Sequence, residues 1–208
     1  MKKLALVFAT AFVANTGFAQ ISVTPEIGMN IAKQRTVVGD NDATTSDAAI
    51  GLSGGVGVGL PLYKGIYLKT GLFYQKLGGQ RDILGLTSTT NLHYLQVPVN
   101  VGYRYEISDK AGAVFAEVGP YVGMAISGNT KSEALIGDDI KNDIEFGDKL
   151  TETKAMDWGF GFGVGYQSPW GIYLKAAHNL GLGNLSNVDN VTVKNRNWNI
   201  SLGYRIDI

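Results

Sequence analysis

Residues 157–167 read Asp157-Trp158-Gly159-Phe160-Gly161-Phe162-Gly163-Val164-Gly165-Tyr166-Gln167. Side chains of an extended chain alternate between two faces. Trp158, Phe160, Phe162, Val164 and Tyr166 therefore share one face, and Gly159, Gly161, Gly163 and Gly165 the other. A soluble sandwich would bury the large row and leave glycines facing water, where longer polar side chains hold a strand better. A narrow barrel in a bilayer inverts that arrangement: the large apolar row meets lipid, and the small row fits a confined interior.

The alternation recurs along the chain. Ile21 to Ile31 places Ile21, Val23, Pro25, Ile27, Met29 and Ile31 against Ser22, Thr24, Glu26, Gly28 and Asn30. Ile50, Leu52, Val56, Val58 and Leu60 oppose Gly51, Ser53, Gly55, Gly57 and Gly59, and Ile66, Leu68, Leu72 and Tyr74 oppose Tyr67, Lys69, Gly71, Phe73 and Gln75. The fourth segment runs from Tyr94 to Tyr105 and the fifth from Val114 to Ile126. Asp157–Gln167 is the sixth, Ile172–Gly181 the seventh, and Trp198–Ile208 the eighth. The connections alternate in length: 35–47, 78–90, 127–153 and 184–194 are long and polar, whereas 61–65, 106–112 and 168–171 are short. With the mature N-terminus in the periplasm, every short connection falls on the periplasmic side and every long one outside, as outer-membrane barrels are built. The expected fold is all-β, an eight-stranded antiparallel transmembrane up-and-down β-barrel.

Composition agrees. The 208 residues include 28 glycines, 5 prolines and 17% charged residues, which fits neither collagen nor disorder. Cysteine is absent, so disulfides and thiolate chemistry are excluded. Lys2 and Lys3, the apolar run Leu4–Val13 and Gly17-Phe18-Ala19 predict a cleaved signal peptide over 1–19 and a barrel domain over 20–208. The apolar run is too short for a membrane anchor. Its removal leaves 16 basic against 18 acidic side chains, with no footprint for nucleic acid.

The inward rows carry Glu26, Glu117, Asp157 and Asp207 against Lys69, Arg104, Lys175 and Arg205. Buried charges must pair, so a salt-bridge lattice is expected, with Tyr67, Phe73, Asn100, Phe115 and Tyr121 filling the gaps of a plugged interior. The alternative is a small-solute or ion path lined by the same groups. Trp158, Tyr166, Trp170, Trp198 and Tyr204 fall near strand ends and form the expected membrane-interface girdle. His93 and His178 fall on the lipid-facing rows, Ser168 at the opposite end from His93 and Ser186 beyond the strand from His178. A lipid-modifying enzyme is thus the weakest alternative, and no catalytic, cofactor or metal site is expected. Acids exceed bases over 127–153, and Asp40, Asp42 and Asp47 add to an acidic outer face without the spacing of a calcium loop. That loop is a candidate surface for a protein partner. One internal echo, Gly65-Ile66-Tyr67-Leu68-Lys69 and Gly171-Ile172-Tyr173-Leu174-Lys175, reads either as duplication of a four-strand half or as two hairpins meeting one demand.

Tyr94-Leu95-Gln96-Val97-Pro98, Gly119-Pro120-Tyr121-Val122-Gly123, Asp157-Trp158-Gly159, and Tyr173 with Asn179-Leu180-Gly181 follow one another in an order and spacing that resembles the PorT family of small porin-like outer-membrane β-barrel proteins. Gln96 departs from the acid often found there, and Ile208 from a terminal aromatic. The resemblance implies an integral outer-membrane protein surrounded by outer-membrane lipid, with some relatives supporting protein secretion. The expectation is a monomeric, non-enzymatic barrel that serves envelope structure or binds a partner through its outer loops. An exported soluble barrel is the remaining alternative.

Overall fold

The computed structural model describes residues 20–83, 86–133 and 140–208. The segment 1–19, with its expected signal peptide, and Asp138 and Asp139 of the long acidic connection lie outside the described residues. Eight long strands form the wall: β1 Ser22–Val38, β2 Ala49–Tyr63, β3 Ile66–Ile83, β4 Leu86–Ser108, β5 Gly112–Glu133, β6 Met156–Gln167, β7 Ile172–Gly181 and β8 Val191–Tyr204. Each pairs antiparallel with its neighbours in sequence, and β8 returns to β1 from Glu26↔Gly203 to Val38↔Val191, so the sheet closes on itself. Closure leaves no open edge and pairs the backbone groups within the wall, which a strand in hydrocarbon requires.

The two faces separate as the alternation demands. Ile27, Leu52, Val164 and Leu202 stand outward with half or more of their surface exposed, while Asn30, Gln75, Gln96 and Asn199 are buried inside. Lipid is the solvent that accommodates such an exterior. The periplasmic turns are tight. Lys64 and Gly65 both take positive φ between β2 and β3, the geometry of a two-residue hairpin whose twist matches its strands.

The outer halves of several strands run further than the apolar rows suggested. β3 and β4 stay paired from Gly78↔Asn91 to Ile83↔Leu86, so 78–90 is mostly a hairpin rather than a loop. β5 continues to Glu133, and Ile140–Asp143 folds back on it from Ser132↔Ile140 to Asn129↔Asp143. β8 begins at Val191, not Trp198. The reason is the same at each place. Above the membrane the alternation of lipid and interior ends, so the period-two hydrophobic signal disappears, while β-branched residues such as Thr87, Thr89 and Thr90 keep the chain extended. A bulge marks the transition: His93 pairs with Ser127 and Tyr94 with Ala125, leaving Ile126 as the extra residue.

Candidate functional site

At mid-barrel the odd strands each send one long charged side chain inward: Glu26 from β1, Lys69 from β3, Glu117 from β5 and Lys175 from β7. Lys69 Nζ lies 2.5 Å from Glu26 Oε1 and 3.6 Å from Glu117 Oε1, and Lys175 Nζ lies 2.7 Å from Glu26 Oε2 and 3.9 Å from Glu117 Oε2. Ser201 Oγ donates to Glu26 at 3.3 Å, and Tyr67 Oη to Glu117 at 2.9 Å. Two acids and two bases, nearly cut off from water, neutralise one another across the bore. Glu26 holds the close contacts and Glu117 the long ones.

Glycines on the even strands make room for this layer. A Cβ at Gly57 would lie 2.8 Å from Lys69 Cε and one at Gly55 2.7 Å from the Phe73 ring, and one at Gly165 would run into the Phe115 ring. Gly102 lies under the Tyr67 ring and Gly203 under that of Tyr173. In the opening stretch Gly161, Gly163 and Gly165 thus lie against the side chains of Asn179, Ala177 and Phe115, and Gly159 against the backbone of Leu180 and Gly181. The echo of 65–69 in 171–175 places Tyr67 with Lys69, and Tyr173 with Lys175, on opposite sides of the ring, giving the quartet an approximate twofold arrangement. Lys69 also lies 5.3 Å from the Tyr173 ring centroid, and Phe115 meets that ring edge-on.

The eight inward charges do not form one lattice. Arg104 pairs with Glu106 at 2.5 Å and Arg205 with Asp207 at 2.7 Å, each two residues along its own chain at the periplasmic rim. Asp157, near the outer end, accepts from Asn195 Nδ2 at 3.0 Å and has no cation partner among the described residues. Between the quartet and Asp157 lies a layer of amides that the sequence reading passed over. Asn30 donates to Gln75 at 2.8 Å and accepts from Asn197 and Asn199 at 3.0 and 2.9 Å, and Asn199 also donates to Ser53 at 2.8 Å. Placing the start of the last strand at Trp198 hid the signal, which is Asn at every second position, 195, 197 and 199.

Above the amides a hydrocarbon cluster stands in the bore, below an outer cavity of about 560 Å³ that Leu92, Leu185 and Val193 help to line. Leu77, Leu92, Tyr94 and Leu185 are all buried to 4% exposure or less, with Ala32, and Phe146, Ile144 and Val193 pack on them. Leu185 and Phe146 come from connections expected to be solvated. Asn187 ties the two connections together by donating to the carbonyls of Gly147, Lys149 and Glu152 at 2.8 to 3.0 Å. Below the quartet a cavity of about 580 Å³ opens to the periplasmic side past Tyr67, Arg104 and Arg205. Between quartet and amides the free space shrinks to about 70 Å³, room for a few waters.

The girdle residues sit where the apolar rows end. Going outward on the lipid-facing row of β8, Arg196 comes next after Trp198, and Tyr204 closes the strand at the periplasmic side. Trp158 stands near the outer end of β6, Tyr166 donates to the Ala111 carbonyl at 2.8 Å, and Trp170 lies exposed in its turn. His93 meets Tyr74 Oη at 2.5 Å on the outer wall, and His178 lies tilted 4.5 Å from the Trp198 ring in a cluster with Phe162, which meets both rings edge-on. Both histidines face lipid. Among the described residues no group of three or more His, Asp or Glu side chains is placed to hold a metal ion.

A closed antiparallel wall of eight strands, apolar outside and polar within, defines an outer-membrane β-barrel. Residues 18–187 match the family described as outer membrane protein beta-barrel domain, and the chain belongs to that family. The match stops short of β8, the strand that closes the ring. The fold is similar to Neisserial surface protein A (13% identity, TM-score 0.44, covering 90% of this chain and 97% of that one). It is also similar to Ail of Yersinia pestis (14%, 0.40, 90% and 99%) and to the N-terminal β-barrel domain of Pseudomonas aeruginosa OprF (12%, 0.37, 91% and 100%). No curated protein matches the chain by sequence.

Proposed function

We propose that this chain is a sealed, non-enzymatic integral outer-membrane barrel that serves envelope structure or holds a pre-ordered outer surface for a partner. The observation that supports the reading is the double closure of the bore, by the Glu26–Lys69–Glu117–Lys175 quartet at mid-height and by the Leu77–Leu92–Leu185 cluster above it. The contacts of Asn187 fix the 147–152 segment in advance, so a partner binding there would lose little loop entropy. Absence of catalysis rests on the placement of His93 and His178 against aromatic neighbours in the lipid-facing wall. Within the family we place the chain in the PorT group on its four motifs, which brings secretion support into the range of roles. The test of the sealed barrel is osmotic swelling of proteoliposomes in sugars of increasing size. Swelling no faster than that of empty liposomes supports it, and size-dependent swelling makes the chain a small-solute pore instead.

A further inference from the structure

We propose that the outer rim of the β1–β8 seam is a binding site for the phosphoryl groups of an outer-leaflet lipid. The register sets Ile31 opposite Trp198 at the end of the apolar band, then Lys33 opposite Arg196, then Arg35 opposite Lys194. Alternation turns all four cations to the outside, because the intervening Gln34, Asn195 and Asn197 point inward, where Gln34 donates to Asn195 and Asn197 to Asn30. Four cations therefore stand in two rows on adjacent strands, with cross-strand Cβ separations of about 5 Å and rows about 7 Å apart.

Like charges placed directly opposite one another oppose strand pairing, so this ladder costs the seam stability unless an anion lies over it. None of the four has an ion-pair partner among the described residues. Leu180 lies beside Arg196 and Thr45 beside Arg35, while the same register, continued through Ser46 opposite Gln34, brings one acid, Asp47, next to Lys33 without an ion pair to it. Of the other acids of this quadrant, Asp40, Asp42 and Asp189 are in the connections beyond Val38 and before Val191, further from the membrane than either row. Asp47 apart, the order outward is apolar band, cations, acids. That places positive charge at headgroup depth, where the long aliphatic stems of Lys and Arg can lie on acyl chain while their heads reach phosphate. Arginine adds paired donors suited to phosphate oxygens.

The test is retention of diphosphoryl lipid A by the folded protein in phosphatidylcholine nanodiscs, read by native mass spectrometry. The variant Lys33→Gln/Arg35→Gln/Lys194→Gln/Arg196→Gln is set against a control at the opposite membrane face, Lys64→Gln/Lys110→Gln. The expected result is at least a tenfold loss of lipid A for the fourfold variant and none for the control, since each cation near an anionic surface is worth roughly fivefold. In pure phosphatidylcholine the fourfold variant should unfold no earlier than the native chain, and added lipid A should raise the unfolding midpoint of the native chain only. The pairs Lys33→Gln/Arg196→Gln and Arg35→Gln/Lys194→Gln carry the same test if the fourfold variant does not fold. Equal retention by the fourfold variant and the native chain would overturn the proposal. So would displacement of lipid A by inorganic phosphate at matched concentration, which would make the site one for a free anion.

Discussion

Replacing Glu26 by Gln removes the charge that both buried lysines lean on. Lys69 and Lys175 approach Glu26 to 2.5 and 2.7 Å, and their other carboxylate, Glu117, stands 3.6 and 3.9 Å away. The substitution leaves two ammonium groups sharing one distant carboxylate in a layer nearly closed to water, and breaking a buried pair in this way costs about 3–5 kcal/mol. Glu117→Gln also leaves two ammonium groups with one carboxylate, but it keeps both short contacts to Glu26 and gives up the long ones and part of the Tyr67 hydrogen bond, a smaller loss of about 1–3 kcal/mol. The asymmetry is the informative quantity. Adding Lys175→Met to Glu26→Gln restores one acid to one base and should recover about 1 kcal/mol or more, a coupling expected for groups in direct contact. Urea unfolding in the presence of lipid vesicles, followed by tryptophan fluorescence, measures all of these, because Trp158, Trp170 and Trp198 all stand on the outside and report insertion. A Glu26→Gln variant within 1 kcal/mol of the native chain, or a Glu117→Gln variant equally damaged, would refute the reasoning.

Three further outcomes follow from neighbouring features. Gly102→Val sets a branched side chain against the Tyr67 ring and should lower stability by about 1–3 kcal/mol in the same assay, whereas Val101→Leu on the lipid face should leave it unchanged. Leu185→Ala empties part of the outer hydrocarbon cap and should cost about 2–5 kcal/mol, yet the variant should stay impermeable because the quartet still blocks the bore. The exposed Lys149 amine beside Glu152 holds that carboxyl below its ordinary value of 4.5. The link is complete above that value and is lost as pH falls through the lower folded value. Amide chemical shifts of 147–153 should therefore hold steady down to about pH 5 and move only in stronger acid.

The wall was readable from the sequence because lipid imposes its demand at every second residue. From Asp157 to Gln167 or Ile21 to Ile31 each apolar residue has an obligatory side, and the pattern survives without any knowledge of partners. Above the bilayer both faces of Gln80–Asp82 and Thr87–Asn91 meet polar surroundings, so the alternation that betrays a strand is gone although the pairing continues. The charges of the interior could be collected from the inward rows, but their grouping could not. Which acid meets which base depends on the stagger between strands, and that stagger sets Lys69 and Lys175 on Glu26 while leaving Arg104 to Glu106 and Asp157 to Asn195. Leu185 was out of reach for another reason. A lone leucine in a polar connection carries no period, and only the return of that connection over the barrel mouth shows it as part of a cap. The ladder of Lys33, Arg35, Lys194 and Arg196 is likewise a fact of register, since its two halves lie at opposite ends of the chain.

Single-channel recording in a planar bilayer tests the sealed bore most directly, with residues 20–208 refolded and their closed form verified by resistance to unfolding on an unheated gel. Silence is the predicted result, both for this protein and for Leu185→Ala, with current steps appearing only when Glu26→Gln and Lys69→Met are combined with that change to open both closures. Reproducible steps from the unaltered protein would contradict the account and make the quartet the lining of a path.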